Sequence, residues 1–356
     1  MNKSLASQID QLLIDSGLFQ NQTEPTRYSS NFNFSEETIL ITGAAGTIGS
    51  ELYKQLINSP FKQLILVDMA ESPLYSLIKA FEFEDQCEVE FHLLNINDFQ
   101  SLSFLFKKHN PTIVFHTAAY KHVPLMEKHP MEAIQTNIFG TKLLAELSIE
   151  YMVKKFIFVS TDKAVKPASI MGMSKRISEK HLTFLNSKGK TAFFITRFGN
   201  ILGSNGSIVP LVKEQLENGT PITITHPEIS RYFICKSKAC NLILKIAHFD
   251  KTNENMFTFD MGAPIKIMDL IERLAKIYSK ELTDVEVKYT GLRPGEKLFE
   301  DITTENETLT TTYIDNILLI KEKRKSILKP FDFSELKRIT PFTTHSEIKS
   351  ILKGYL

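Results

Sequence analysis

The run Ser160-Thr161-Asp162-Lys163 sets hydroxyls, a carboxylate and an ammonium side by side, and Met171 and Lys175 follow it at a helical spacing. A carboxyl group donates a proton near neutral pH when burial raises its pKa. An amine removes a proton when it is desolvated or crowded by other cations. A hydroxyl such as that of Thr161 hydrogen-bonds an oxygen whose charge changes during reaction. These are the parts of acid–base chemistry on a bound substrate. Lys175 lies four positions after Met171, so both face the same way on a helix. The plain alternative is that Thr161 and Asp162 cap a helix and the lysines are solvated.

The elements around this run favour chemistry. Lys155-Phe156-Ile157-Phe158-Val159 reads as a short buried strand before it, and Arg176 to Leu182 reads as helix after it. In an open α/β sheet, substrates collect outside the carboxyl ends of strands. A second signal lies upstream. The strand Thr38 to Thr42 runs into Gly43-Ala44-Ala45-Gly46-Thr47-Ile48-Gly49 and then a helix, Ser50 to Ile57. Strand, glycine turn and helix make a dinucleotide site: one glycine for the tight turn, one for close approach to a pyrophosphate, one for helix–strand packing. The next strand, Leu64 to Val67, ends at Asp68, where the fingerprint expects a ribose-binding carboxylate, and a carboxylate there favours NAD over NADP. The strand Thr112 to Ala119 ends in two small residues, Ala118 and Ala119, that let a flat cofactor approach. Tyr120, Lys121 and His122 follow beside the expected nicotinamide ribose. Asn137, inside a helix by its spacing, is locally unfavourable there and is expected to hydrogen-bond something specific.

Composition bounds the rest. A chain of 356 residues with 42% hydrophobic content buries a large core. A formal net charge of +1 gives no global pull toward nucleic acid or anionic membrane. No apolar run approaches the ~20 residues of a membrane span. Cys87, Cys235 and Cys240 show no metal-ligand spacing, so no metal site is expected, and the compartment expected is the cytoplasm. Residues 1–36 read as an extension with one amphipathic helix over Ile9, Leu12, Leu13 and Leu18, followed by a polar linker.

With these motifs in hand, the chain resembles an extended short-chain dehydrogenase/reductase. More narrowly it is similar to UDP-N-acetylglucosamine 4,6-dehydratases of polysaccharide biosynthesis, particularly the configuration-retaining group. The resemblance runs from about Glu37 to about Ile302 and includes Arg197 to Ser204, Thr225 to Phe233 and Thr290 to Leu298. It implies a Rossmann-type doubly wound parallel sheet over 37–200, with 231–265 returning to it. A smaller α/β substrate-binding region is expected over 201–230 and 266–356. It also implies adenine contacts from Asn95 and Ile96, and resident NAD.

The implied reaction oxidises C4 of UDP-N-acetylglucosamine, eliminates water across C5–C6 and returns hydride to C6. Asp162 would protonate the leaving hydroxyl, Lys163 would move the C5 proton, Thr161 would bind the C4 oxygen and Lys175 the nicotinamide ribose. Met171 stands where most of the superfamily has tyrosine. A thioether exchanges no proton, so the base for the 4-hydroxyl stays open among Asp162, Lys163 and water.

On the substrate side, Asn200 is expected at the diphosphate and Ser207 in a turn offering N–H groups. Thr225 ends a strand edge for the uracil. Arg231 and Arg293 are suited to clamp phosphates, and Glu296 to accept from ribose hydroxyls. Three other outcomes remain open: inversion at C5, a nucleotide-sugar epimerase or reductase, and a non-catalytic NAD-binding regulator. Relatives pair through helices flanking the site, so a homodimer or higher homo-oligomer is expected. The segment from Thr304 to Thr312 reads as a polar loop, and Pro330 to Leu356 as two helices completing the substrate region.

Overall fold

The computed structural model describes residues 3–17, 32–80, 88–278, 285–323 and 330–356. Leu18, most of the polar linker and Cys87 lie outside the described residues. Nine strands form one sheet. In chain order they are β1 (Phe34–Thr42), β2 (Phe61–Asp68), β3 (Val89–Leu93), β4 (Ile113–His116), β5 (Lys155–Val159), β6 (Ala192–Arg197), β11 (Met256–Phe259), β14 (Glu307–Thr311) and β15 (Ile317–Glu322). Their spatial order is β14-β15-β11-β6-β5-β4-β1-β2-β3. From β3 to β11 every pairing is parallel, and β15 and β14 add an antiparallel edge. The chain reverses direction across the sheet between β1 and β4. That is the switch point where an α/β sheet opens a crevice.

The strands are apolar runs because both sheet faces are covered. Ile39, Ile41, Phe115, Ile157, Phe194 and Phe257 face one core with the helices Thr47–Leu56 and Lys236–Ile246. Leu40, Val114, Phe156, Phe158, Phe193 and Ile195 face the other, with Phe99–His109 and Thr141–Glu150.

Between β6 and β14 the chain builds a smaller body from three two-stranded pairs. These join β7 (Asn200–Leu202) to β10 (Phe233–Cys235), β8 (Ile222–Ile224) to β13 (Val287–Tyr289), and β9 (Ser230–Arg231) to β12 (Ile265–Lys266). Its core holds Val209, Val212, Ile224, Ile271 and Leu274. The helix Lys3–Asp15 belongs here: Ile9 and Leu13 are buried in this core, Gln8 donates to the carbonyls of Met261 and Ala263, and Asp10 pairs with Arg273.

Two expectations for the C-terminal part need correction. The polar stretch 304–312 contains a strand, β14, whose residues after Glu307 are exposed. An exposed edge strand carries no apolar alternation for a sequence reader to see. β14 and β15 also lie in the main sheet, away from the smaller body. The helices Ser334–Lys337 and His345–Gly354 likewise do not complete the smaller body. Phe333, Leu336, Ile348 and Leu352 pack on Ile170, Met173 and Ile177 of the helix Ile170–Lys188. No helix among the described residues is long and apolar enough to cross a membrane.

Candidate active site

β5 ends at Val159, and the chain then follows β6: Ser160 donates its N–H to Thr196 O at 2.7 Å and Asp162 donates to Phe198 O at 3.0 Å. Asp162 to Ala164 make one 3-10 turn, with Thr161 as its N-cap. Asp162 is fully buried. Its Oδ1 accepts from Thr161 Oγ1 at 2.9 Å and from Lys163 Nζ at 3.0 Å, while its buried Oδ2 has no hydrogen-bond partner. Lys163 Nζ also donates to Asn200 Oδ1 at 3.1 Å and lies 3.7 Å from Glu300 Oε1. The sequence reading asked for desolvation or neighbouring cations around Lys163. The structure surrounds its ammonium with oxygen acceptors instead.

Glu300 is the residue the sequence reading missed. Its side chain is 3% exposed, and its Oε2 lies 3.5 Å from Lys297 Nζ without a hydrogen bond. Burial raises its carboxyl above the usual range. The Asp162 charge adds to that effect, and Lys163, Arg231 and Lys297 oppose it. The available signal was the Arg293 to Leu298 motif, which ends just short of Glu300.

The helix Ile170–Lys188 is set against this turn by small and capping groups. Ser169 Oγ accepts from Gly172 N, and Glu127 Oε1 accepts from Ile170 N at 2.7 Å. A Cβ on Gly172 would stand 2.3 Å from Lys163 O. Only glycine lets the helix come so close. Met171 is buried among apolar side chains. Lys175 Nζ sits 3.8 Å from the Phe158 ring centroid, a cation–π contact. Burial pushes its pKa down to about 7, against the pull of Glu179.

Burial alone would raise Glu179, but Arg197, Arg176 and Ser160 hold it at about 2. Arg197 is fully buried between Glu179 and Glu307, so it ties β6, this helix and β14 together. Asn137 meets its expectation. Its Oδ1 accepts from Tyr120 N, and its Nδ2 donates to Tyr120 O and Ser174 Oγ. It projects from a π-helical turn, Ala133–Gly140, a local widening found often at functional sites.

On the other side of the crevice, Gly43 has φ +71, and a Cβ there would lie 2.7 Å from the Ala118 backbone. A Cβ on Gly49 would lie 2.2 Å from Gly43 O. The helix Thr47–Leu56 begins at Gly46 with no acidic residue in its first turn. This cradle of close backbones and free helix N–H groups fits a dinucleotide pyrophosphate. Asp68 accepts from Ala45 N and Ala70 N, so its carboxylate braces the turn. Ile96 is buried against Gly140, while Asn95 is exposed. Ala118, Ala119 and Tyr120 are half-buried, and Lys121 and His122 are exposed beside them.

Asn205 donates to Thr47 Oγ1 at 3.4 Å, and Gly206 lies against the His122 ring. The turn carrying Ser207 therefore meets the glycine loop. Ser207 Oγ is buried without a partner. β8, which leads to the buried Thr225, has one edge taken by β13. Arg231 is not a free clamp. It is buried and donates to the carbonyls of Ser230, Lys297 and Leu298, with Glu296 3.5 Å away. Arg293 is exposed, and Glu296 Oε2 accepts from its backbone N–H. Gly295 lies against Ser169 and Glu127, at the start of the helix Ile170–Lys188.

Residues 39–322 match the family model described as "Polysaccharide biosynthesis protein". The chain belongs to this family. It is 43% identical over 277 residues to the capsular polysaccharide biosynthesis protein CapD of Staphylococcus aureus, covering 77% of this chain and 46% of that protein. The chain thus spans about half the length of the first curated relatives it matches. It is 31% identical to the UDP-N-acetylglucosamine 4,6-dehydratase (inverting) of Campylobacter jejuni, over 85% of this chain and 87% of that one. Among solved structures, Pen from Bacillus thuringiensis superposes with a TM-score of 0.73 at 28% identity, covering 81% of this chain and 90% of that one.

Proposed function

We propose that this member of the polysaccharide biosynthesis family is an NAD-dependent UDP-N-acetylglucosamine 4,6-dehydratase that retains the C5 configuration. The observation that carries this reading is the buried Asp162, with one free oxygen, touching Lys163 at the mouth of β5. The hydride that leaves C4 and returns to C6 would be carried by a bound NAD. Gly43, Gly46, Thr47, Ile48 and Gly49 would hold its pyrophosphate, Asp68 would accept from its ribose and Ala118 to Tyr120 would line its nicotinamide end.

The chain's own groups handle the protons. Asp162 takes the C4 hydroxyl proton, with Thr161 bound to the same oxygen, and later hands it to the departing C6 hydroxyl. Lys163 must first shed a proton to act as base at C5. Glu300, raised by burial and 3.7 Å away, takes that proton. Lys163 then removes the C5 proton, exchanges its ammonium hydrogens with solvent and protonates C5 again. Met171 excludes water and titrates nothing, and Lys175 binds the nicotinamide ribose. Asn200, Ser207, Thr225, Arg293 and Glu296 hold the UDP part, with Lys121 and His122 at its rim. Arg231 acts here by bracing the 296–298 segment. Residues 201–230 and 266–302 form the substrate region, and the protein works as a homodimer or higher homo-oligomer.

The test is incubation with UDP-N-acetylglucosamine in deuterated water, followed by NMR. The expected product has a 6-methyl group, a 4-ketone or its hydrate, deuterium at C5 and unchanged C5 configuration. A surviving 6-hydroxyl, or NADH released in step with turnover, would point to an epimerase or reductase and sink the proposal. Inversion at C5 is the second reading, favoured by the match to the Campylobacter jejuni enzyme over 85% of this chain and 87% of that one. The Ser174-Lys175-Arg176 run, and Asp68 to Glu71 with Leu74-Tyr75 beyond it, resemble the retaining group and argue for retention.

A further inference from the structure

We propose that Glu90, His92 and His109 form a binding site for a divalent transition-metal ion, zinc by its donor set, distinct from the candidate active site. Glu90 and His92 are two apart on β3, so they share one face of the edge strand. His109 is the last residue of the helix Phe99–His109 and comes to meet them. Glu90 Oε2 lies 3.4 Å from His92 Nε2 and 3.6 Å from His109 Nε2. All three donor atoms fall within 4.8 Å of one another. Ligands bound tetrahedrally at ~2.0–2.1 Å stand roughly 3.4 Å apart, so a small closure completes the geometry.

Both Nε2 atoms are buried and have no hydrogen-bond partner. The His109 side chain is 2% exposed. Unpaired buried donors and acceptors are costly and call for a cause. The neighbouring amide shows which state His109 is in. Gln63 donates through Nε2 to Glu90 Oε1 at 3.0 Å, which leaves its Oε1 facing His109 Nδ1 at 3.3 Å. An oxygen there only accepts, so Nδ1 carries the proton and Nε2 presents a lone pair. Buttressing of a ligating imidazole through its far nitrogen is the arrangement metal sites use.

A cation already sits at this carboxylate: Lys108 Nζ is 2.8 Å from Glu90 Oε2. Its side chain is half-exposed and can swing into solvent when a metal ion takes its place. Two imidazoles and one carboxylate suit zinc, whereas magnesium and calcium prefer oxygen ligands throughout. His92 also lines an open cleft of about 400 Å3 with Leu94, Gln100 and Phe104. A bound ion would pin the sheet's edge strand to the end of a helix, just before the Asn95–Ile96 corner.

The probes are Zn2+ and Co2+ added to the untagged full chain. One zinc per chain is expected by calorimetry, with a visible absorption band of tetrahedral intensity for cobalt and a rise in unfolding temperature that a chelator reverses. His92→Asn and His109→Asn should each abolish stoichiometric binding. Gln63→Leu should weaken it ~10–100-fold, the usual effect of losing such a buttress. Lys108→Met removes the competing ammonium without touching the core, and should tighten binding several-fold. Absence of stoichiometric binding, binding that survives both histidine substitutions, or an affinity unmoved by Lys108→Met overturns the proposal.

Discussion

At the scale of single residues, the site turns on how three charges share one buried corner. Asp162→Asn keeps the shape and the contact to Thr161 but removes the carboxyl that carries the proton in the proposed reaction. Turnover should fall by ~10²–10⁴ while nucleotide binding persists, measured by product formation and calorimetry. Glu300→Gln separates the mechanism from mere packing. If Glu300 stores the proton of Lys163, kcat drops, KM changes little and one limb of the pH–rate profile moves; a structural glutamate would leave the profile's shape intact. Lys175 makes a different prediction. Its pKa is about 7 in the fold against 10.5 for a free lysine, because burial disfavours the charge. Between those values the unfolded chain binds the extra proton, so stability of the nucleotide-free protein should rise as pH goes from about 7 to about 10. The penalty is full below the folded value, shrinks through this window and is gone once the free lysine itself deprotonates. Lys175→Met should flatten that slope in denaturant titrations across the range, and an unchanged slope would refute the assignment.

At the scale of elements, the decisive contact is a helix against a turn. Gly172 lies on the Ile170–Lys188 helix, and its missing Cβ makes room for the carbonyl of Lys163 at 2.3 Å. Gly172→Ala must push helix and turn apart. Displacements of this size cost ~10²-fold in rate when they misplace a reacting group, and steady-state assays on the folded variant will show it. Much of this layer was legible in the sequence. The strand–glycine turn–helix at 38–57, the apolar runs of β4 and β5 and the out-of-place Asn137 each carry a local signature. What escaped were features set only by tertiary contact. Glu300 is an ordinary glutamate in a polar stretch until the fold sets it beside Lys163. Arg231 reads as a phosphate ligand until the carbonyls of 297 and 298 claim it. β14 is a strand because β15 offers it a partner, and its own pattern of exposed residues gives no hint.

At the scale of the whole molecule, the helix His345–Gly354 packs back on the helix Ile170–Lys188. Leu352 is fully buried in the cluster that holds Ile170, Met173 and Ile177. From the same terminal helix, His345 and Lys349 contact Glu127, the residue that caps Ile170. Leu352→Ala should therefore cost about 2–5 kcal/mol of global stability in one cooperative transition; a tail that melts separately, leaving the main transition in place, would contradict this. The segment held by Arg231 has a wider consequence. It carries the exposed Arg293 and the half-buried Glu296, whose carboxylate faces Arg231 and the Arg293 N–H, and within a few residues it delivers Glu300 to the side of Lys163. On the proposed function, recognition of the nucleotide and execution of the elimination would then ride on one short piece of chain. A transplant of that piece from a relative with another sugar preference would carry over or discard acid–base function along with specificity, so new selectivity in this scaffold has to be sought elsewhere, in the 203–207 turn or the strand leading to Thr225.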